Sequence, residues 1–429
     1  MDTSHGVHPP RITDRRRLLK ATFGGVSTLA AVNFPFVWAK KPTTIRVLGT
    51  HVTLQEEIRQ QAMADLGIKI EFEPKGSAAV LQKASLSPES FDLYEQWSNS
   101  INILWQSGAI QAIDKERISR WNEINALTKT GKLTPEAKIG AGDAPYKLLH
   151  VQKDGTLSEK SSNQISFLPY VHNVDSFGYD TRAVSPGEPY KTESWSWLLS
   201  EKYRGKVGIV NAPTIGIFDV ALAAQALGLM SFEDIGAMTR KEIDTLFDIL
   251  SVYKKRGHFN GFWTSVPESV EFMRQGRVVI ESMFSPGVSA LNGLNIPVIY
   301  AAPREGYRGW HGVMCLSSAT EGHVKDASYD YMNWWLSGWP GAFIARQGYY
   351  ISNAENSREL LSEDEWNYWY LGKETKTALK GTDGNVSVKA GEIRTGGSYE
   401  RRFSNVAVWN TVMPTYDYSL QKWYEFISI

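Results

Sequence analysis

Cysteine is nearly absent from this chain: Cys315 is the only one in 429 residues. That excludes an intramolecular disulfide framework and any cysteine-built zinc cluster, and leaves a thiol expected to be buried. Net charge is absent too. Lys plus Arg and Asp plus Glu balance at 46 each, so no basic excess invites nucleic acid and no acidic tail stands out. Nor is there a Gly-x-Ser-x-Gly elbow, a His-Glu-x-x-His pair or a Gly-x-x-x-x-Gly-Lys-Ser/Thr phosphate loop. The eight histidines never pair at ligand spacing. Thr382-Asp383-Gly384-Asn385 lacks the acidic spacing of a calcium loop and reads as a hairpin turn. Catalysis, a cofactor and a metal centre therefore have no visible carrier, and the expectation is a protein without cofactor that is not an enzyme.

What is present starts at the N-terminus. Asp14-Arg15-Arg16-Arg17-Leu18-Leu19-Lys20 precedes an uncharged run from Ala21 to Ala39, closing on Val37-Trp38-Ala39 before Lys40. Paired arginines, an uncharged core and small residues at the cleavage site read as a twin-arginine signal peptide over residues 1–39. A membrane anchor is the alternative. Gly24, Gly25, Ser27, Thr28 and Asn33 interrupt the core, whereas a stable span needs roughly 20 predominantly apolar residues. The expected location is the periplasm, reached through the twin-arginine translocase, with Lys40 as the mature start.

The remaining length suffices for two domains. Hydrophobic residues make 42% of the chain and charged residues 21%, a soluble globular balance. Fifteen Trp and nineteen Tyr exceed what a core needs, and suit either packing between layers or stacking on a ligand. Thr44–Gly49 alternates like a strand, residues 53–66 carry helical spacing, and Ile68–Phe72 alternates again. A helix near 78–84 then leads to a short buried strand at Phe91–Tyr94. This βαβ progression predicts a parallel sheet. Ligands of open α/β sheets sit beyond the strand C-termini, which places Thr50, His51, Trp97 and Ser98 at a cleft. Residues 125–163 read as a long loop excursion. Further strands are expected at 166–171, 206–210, 278–281, 296–300 and 312–316, and helices at 217–227, 240–256, 267–275 and 325–336.

Three ordered segments carry a family likeness. Gly108-Ala109-Ile110-Gln111-Ala112-Ile113-Asp114-Lys115 comes first, then Trp195-Ser196-Trp197-Leu198-Leu199 with Tyr203-Arg204-Gly205-Lys206-Val207. Asn333-Trp334-Trp335-Leu336 with Ala345-Arg346-Gln347-Gly348-Tyr349-Tyr350 closes the set. Together they resemble the periplasmic solute-binding proteins of the spermidine/putrescine type, up to about residue 352. The resemblance implies a two-lobe α/β periplasmic binding protein fold (type II-like) with the ligand cleft between the lobes. It implies lobe 1 from 40–168 and 303–345, and lobe 2 from 169–302 and 346–429 with a C-terminal extension. It further implies a monomer that closes on a small-molecule solute and hands it to the permease of an ABC importer in the inner membrane.

The same resemblance matches Phe284, Trp310 and Tyr349 to aromatic positions that stack on the ligand. Where the family has an Asp two residues after its second cleft Trp, this chain has Gly312. Where it has an acidic cluster, this chain has Asn211-Ala212-Pro213-Thr214-Ile215-Gly216. Glu281, at an expected strand end, and His311, beside Trp310, are the charged candidates left for one cationic or zwitterionic ligand. The expected ligand is a small organic cation or polyamine-like solute. A neutral solute such as a sugar, ferric iron held by Tyr349-Tyr350, and an exported enzyme are the other readings.

Overall fold

The computed structural model describes residues 42–142 and 144–429. The signal-peptide reading falls on residues outside that range. Alternation in Thr44–Gly49 gives strand β1, which leads to helix α1 (Glu56–Leu66) and strand β2 (Lys69–Pro74). Glu56 and Glu57 sit in the first turn of α1, where the helix dipole favours them, and Gly67 ends it in the left-handed conformation at φ 66°. Helix α2 (Ser77–Leu86) and strand β3 (Leu93–Trp97) follow. β1 pairs in parallel with both β2 and β3, the arrangement that the βαβ pattern predicts.

Two long strands then join the halves of the molecule. β4 (Leu168–Asp180) is buried along all 13 residues. Beyond it lie β5 (Val207–Val210), α3 (Pro213–Ala226), α4 (Arg240–Lys255) and β6 (Phe259–Trp263). Helix α4 shows how local sequence sets this half. A Thr239–Glu242 capping box starts the helix, and Ile243, Leu246, Phe247 and Leu250 form its buried stripe. Helix α5 (Val266–Arg274), β7 (Ile280–Met283), α6 (Ser285–Gly293) and β8 (Val298–Tyr300) complete it. The chain returns through β9 (Tyr307–Ser317), whose 11 residues are all buried, and helix α7 (Gly322–Trp335). Strand β10 (Val406–Trp409) and helix α8 (Tyr416–Ser428) close the fold.

The main sheet path runs β6-β5-β7-β4-β9-β3-β1-β2. Its two ends are parallel, while β4 and β9 are antiparallel to each other and to their outer neighbours. Each end packs its own apolar core: Ile45, Val47, Ile58, Leu93, Tyr331 and Trp335 in one lobe, and Ile209, Val220, Leu246, Leu250 and Trp423 in the other. A further cluster gathers Tyr307, Tyr350, Trp366, Trp369, Phe403 and Trp409 around the C-terminal segment. The molecule is thus a two-lobe α/β fold. Cys315 is a buried free thiol within β9.

The excursion at 125–163 carries more structure than its sequence spacing shows. Ala126–Thr130 forms a short helix, and two-residue strands build a small sheet in the order Ile113–Asp114, Gln164–Ile165, His150–Val151, Leu157–Ser158. Two residues are too few for alternation to register. The hairpin expected at Thr382–Asn385 forms between Leu379–Lys380 and Val386–Val388. Among the described residues, no helix is long and apolar enough to cross a membrane.

Candidate functional site

The C-terminal ends of the parallel strands face the junction of the lobes. β1 ends at Gly49 and delivers Thr50, which is buried, and His51, which is exposed. Gly49 is required there, since a Cβ would stand 2.6 Å from the Glu95 carbonyl oxygen. β3 ends at Trp97 and delivers the buried Ser98. From the opposite lobe, β5 delivers Asn211, β6 ends at Trp263 and β7 leads to Phe284. Trp263 and Phe284 meet edge to face at 5.0 Å. Asn211 accepts a hydrogen bond from the Trp423 indole N–H at 2.9 Å. Trp97 packs against the apolar clusters of both lobes, so the two walls touch at this ring.

Behind these strand ends lies the face of β4 and β9. Register pairs Trp310 with Asn173 and Arg308 with Asp175, so the four side chains share one face. Tyr349 stands edge to face with Trp310 at 5.5 Å. Arg308 is fully buried and donates from Nε to Asp219 at 2.7 Å, with its Nη1 3.4 Å from Asp175. Burial pushes the Asp219 carboxyl up to about 6 against the pull of Arg308. Asp175 is likewise raised by burial, while Arg308, Trp310 and Tyr300 hold it down. Asn173 is fully buried, and neither its amide nitrogen nor its amide oxygen has a partner among the described residues.

Thr50, Trp97, Ser98, Asn211, Phe284, Trp310 and Tyr349 therefore lie at strand ends or on this wall. Glu281 and His311 do not. β7 continues to Met283, two residues beyond the expected end, so Glu281 sits inside the lobe, where Ser269 donates to it. Its carboxyl is fully buried, and burial raises it well above the usual carboxylate range. His311 follows Trp310 on a strand and so points to the opposite face. There it stacks on His172 at 4.9 Å and bonds the Thr128 hydroxyl at 2.7 Å. Asp175 and Asn173 were missed by sequence reasoning. Their signal was present as a polar cluster, His172-Asn173 and Asp175-Ser176, inside an otherwise apolar strand. The Tyr350 hydroxyl donates to the Trp369 carbonyl at 3.1 Å.

A family model of bacterial extracellular solute-binding proteins matches residues 57–354. The chain belongs to that family. In structure it is similar to a putative spermidine/putrescine ABC transporter from Listeria monocytogenes, with TM-score 0.62 and 12% identity over 90% of this chain and 99% of that one. The spermidine/putrescine substrate-binding protein of Streptococcus pneumoniae gives TM-score 0.59 and 14% identity over 90% and 99%. A periplasmic binding protein of A. tumefaciens R10, solved in complex with agropinic acid, gives 0.54 and 10% over 90% and 99%. At these identities the likeness is one of fold. No curated protein sequence matches the chain.

Proposed function

We propose that this solute-binding protein captures a small organic cation carrying a single ammonium group and delivers it to the permease of an ABC importer in the inner membrane. Export by the twin-arginine route to the periplasm belongs to the same reading. The observation that carries it is the composition of the wall: aromatic faces of Trp97, Phe284, Trp310 and Tyr349 beside one carboxylate, Asp175. The cation paired with that carboxylate, Arg308, is engaged by Asp219 as well. An aromatic face within about 6 Å of an ammonium contributes roughly 0.5–2 kcal/mol. The unpartnered amide of Asn173 supplies a donor and an acceptor for a polar substituent. Spermidine-binding neighbours support the class of ligand, and the agropinic acid complex shows that the fold also takes other solutes.

A melting-temperature screen with choline, glycine betaine, putrescine, spermidine, glucose and ferric citrate tests this. One cationic class should raise the melting temperature, since saturation at 100 times Kd stabilises by about 2.7 kcal/mol. Trp310→Ala and Asp175→Asn should each weaken that ligand by tenfold or more. A response to glucose alone, or to ferric citrate but not to citrate without iron, would refute the reading, and so would turnover of the ligand.

A further inference from the structure

A second site is suggested by the C-terminal segment. A cavity of about 450 Å³ lies between helix α6 and strand β8 on one side and residues 368–402 on the other. None of the cleft-wall residues Thr50, Trp97, Asn211, Phe284, Trp310 or Tyr349 lines it. Two guanidinium groups do, those of Arg394 and Arg402, and both are buried, at 6% and 1% exposure. Among the described residues neither has a carboxylate within ion-pair distance. Arg394 donates to the Trp369 and Gly348 carbonyls at 2.9 and 3.0 Å. Arg402 gives only its Nη1, to the Thr395 carbonyl at 2.8 Å and the Tyr307 hydroxyl at 3.5 Å, and its Nε and Nη2 are unpartnered.

Those two nitrogens form the side-on edge of a guanidinium, whose parallel N–H groups fit the two oxygens of one carboxylate or phosphate. Several other arginines fill that edge, although the Nη2 of Arg308 is likewise unpartnered among the described residues. Arg46 offers it to Asp92, Arg59 to Glu56, Arg182 to Asp180 and Arg274 to Glu271. At Arg402 it is the buried edge of a group that cannot lose its charge; the Tyr307 and Tyr300 rings lie 4.9 and 5.9 Å from it, but no carboxylate pairs with it among the described residues. Asp175 feels Arg402 electrostatically but already takes Arg308 and Tyr300. Ser289, Ser387 and Thr395 add polar groups to the lining, which also carries the Glu392 carboxylate.

We propose that this cavity binds a small organic anion, whose carboxylate or phosphate group is held by the two buried guanidinium groups that line it, those of Arg394 and Arg402. The site is distinct from the cleft wall, although Arg402 and Tyr300 of its lining act on Asp175 there. Calorimetric titration of the full chain with citrate and, separately, inorganic phosphate tests it, and the stronger of the two tells carboxylate from phosphate chemistry. At least one should bind with one-to-one stoichiometry, and Arg402→Gln should weaken it at least tenfold. Ser289→Trp fills the cavity while keeping both arginines, so it should also weaken binding tenfold, even should Arg402→Gln fail to fold. Both losses should leave the melting response to the cleft ligand in place in every folded variant. Absence of binding at millimolar citrate and phosphate would overturn the proposal, as would binding that survives Ser289→Trp.

Discussion

Glu95→Gln is expected to stabilise this protein above neutral pH, although it removes a hydrogen-bonded carboxylate. Glu95 lies on β3 and is fully buried. It accepts from the Tyr170 hydroxyl at 2.9 Å, but among the described residues its other oxygen has no partner and no cation adjoins it. Burial raises the carboxyl from 4.5 to about 7, with Thr53, Tyr170 and Tyr331 pulling the other way. Between those values the folded protein holds a proton that the unfolded chain has released. The unfolded state then binds fewer protons, so stability falls as pH rises through this window. At 1.36 kcal/mol per unit the loss approaches roughly 3 kcal/mol by pH 8. Glutamine keeps the acceptor for Tyr170 and cannot ionise. Denaturant unfolding of both proteins at pH 4, 6 and 8 should show similar stability at pH 4 and an advantage for Glu95→Gln of about 3 kcal/mol at pH 8. A pH-independent difference, or a less stable variant at pH 8, would refute the argument from burial.

The histidines behind Trp310 give the opposite slope. Burial lowers His311 from 6.5 to about 4, so its contribution is lost as pH falls through that interval, by up to roughly 3 kcal/mol, and His311→Gln should flatten the acid limb of the melting profile. Asp219→Asn leaves Arg308 with Asp175 as its one carboxylate, beside the Asn410 amide, and should cost about 3–5 kcal/mol, read by denaturant midpoint. Replacement of Arg15 and Arg16 by Lys should leave the unprocessed chain in the cytoplasm, as fractionation and immunoblotting would show; continued export would refute the twin-arginine reading.

How much of this was legible depends on the length of each pattern. The βαβ order from Thr44 to Trp97 was readable because alternation and helical spacing persist over several residues, and it led directly to Thr50 and Trp97. The likeness carried by Trp195–Val207 and Asn333–Tyr350 named the fold. Glu281 was misplaced because an expected strand boundary fell two residues short, and with period-two alternation its side chain enters the lobe interior. His311 shows the same rule, since its neighbour Trp310 faces the cleft wall and it cannot. Asp175 and Arg308 were missed for a different reason. Polar residues within a buried strand make sense only beside their partners, and those partners stand 89 to 133 positions away in sequence.

The missing family carboxylate has a structural cause that the proposed reading can use. A Cβ at Gly312 would stand 2.9 Å from the backbone oxygen of Val171, because β4 and β9 approach closely where their register shifts. Backbone cannot yield there as a flexible side chain would, so Gly312→Asp should destabilise by about 1–3 kcal/mol. It should not create a polyamine site. On the adjacent strand Asp175 supplies a carboxylate beside Trp310, but Arg308 shares it. A ligand with one ammonium meets that single carboxylate, whereas a second ammonium on the same wall meets none. Putrescine should therefore bind no more tightly than a monocation of similar size. A putrescine affinity tenfold above that of every monocation tested would show that another carboxylate reaches the cleft.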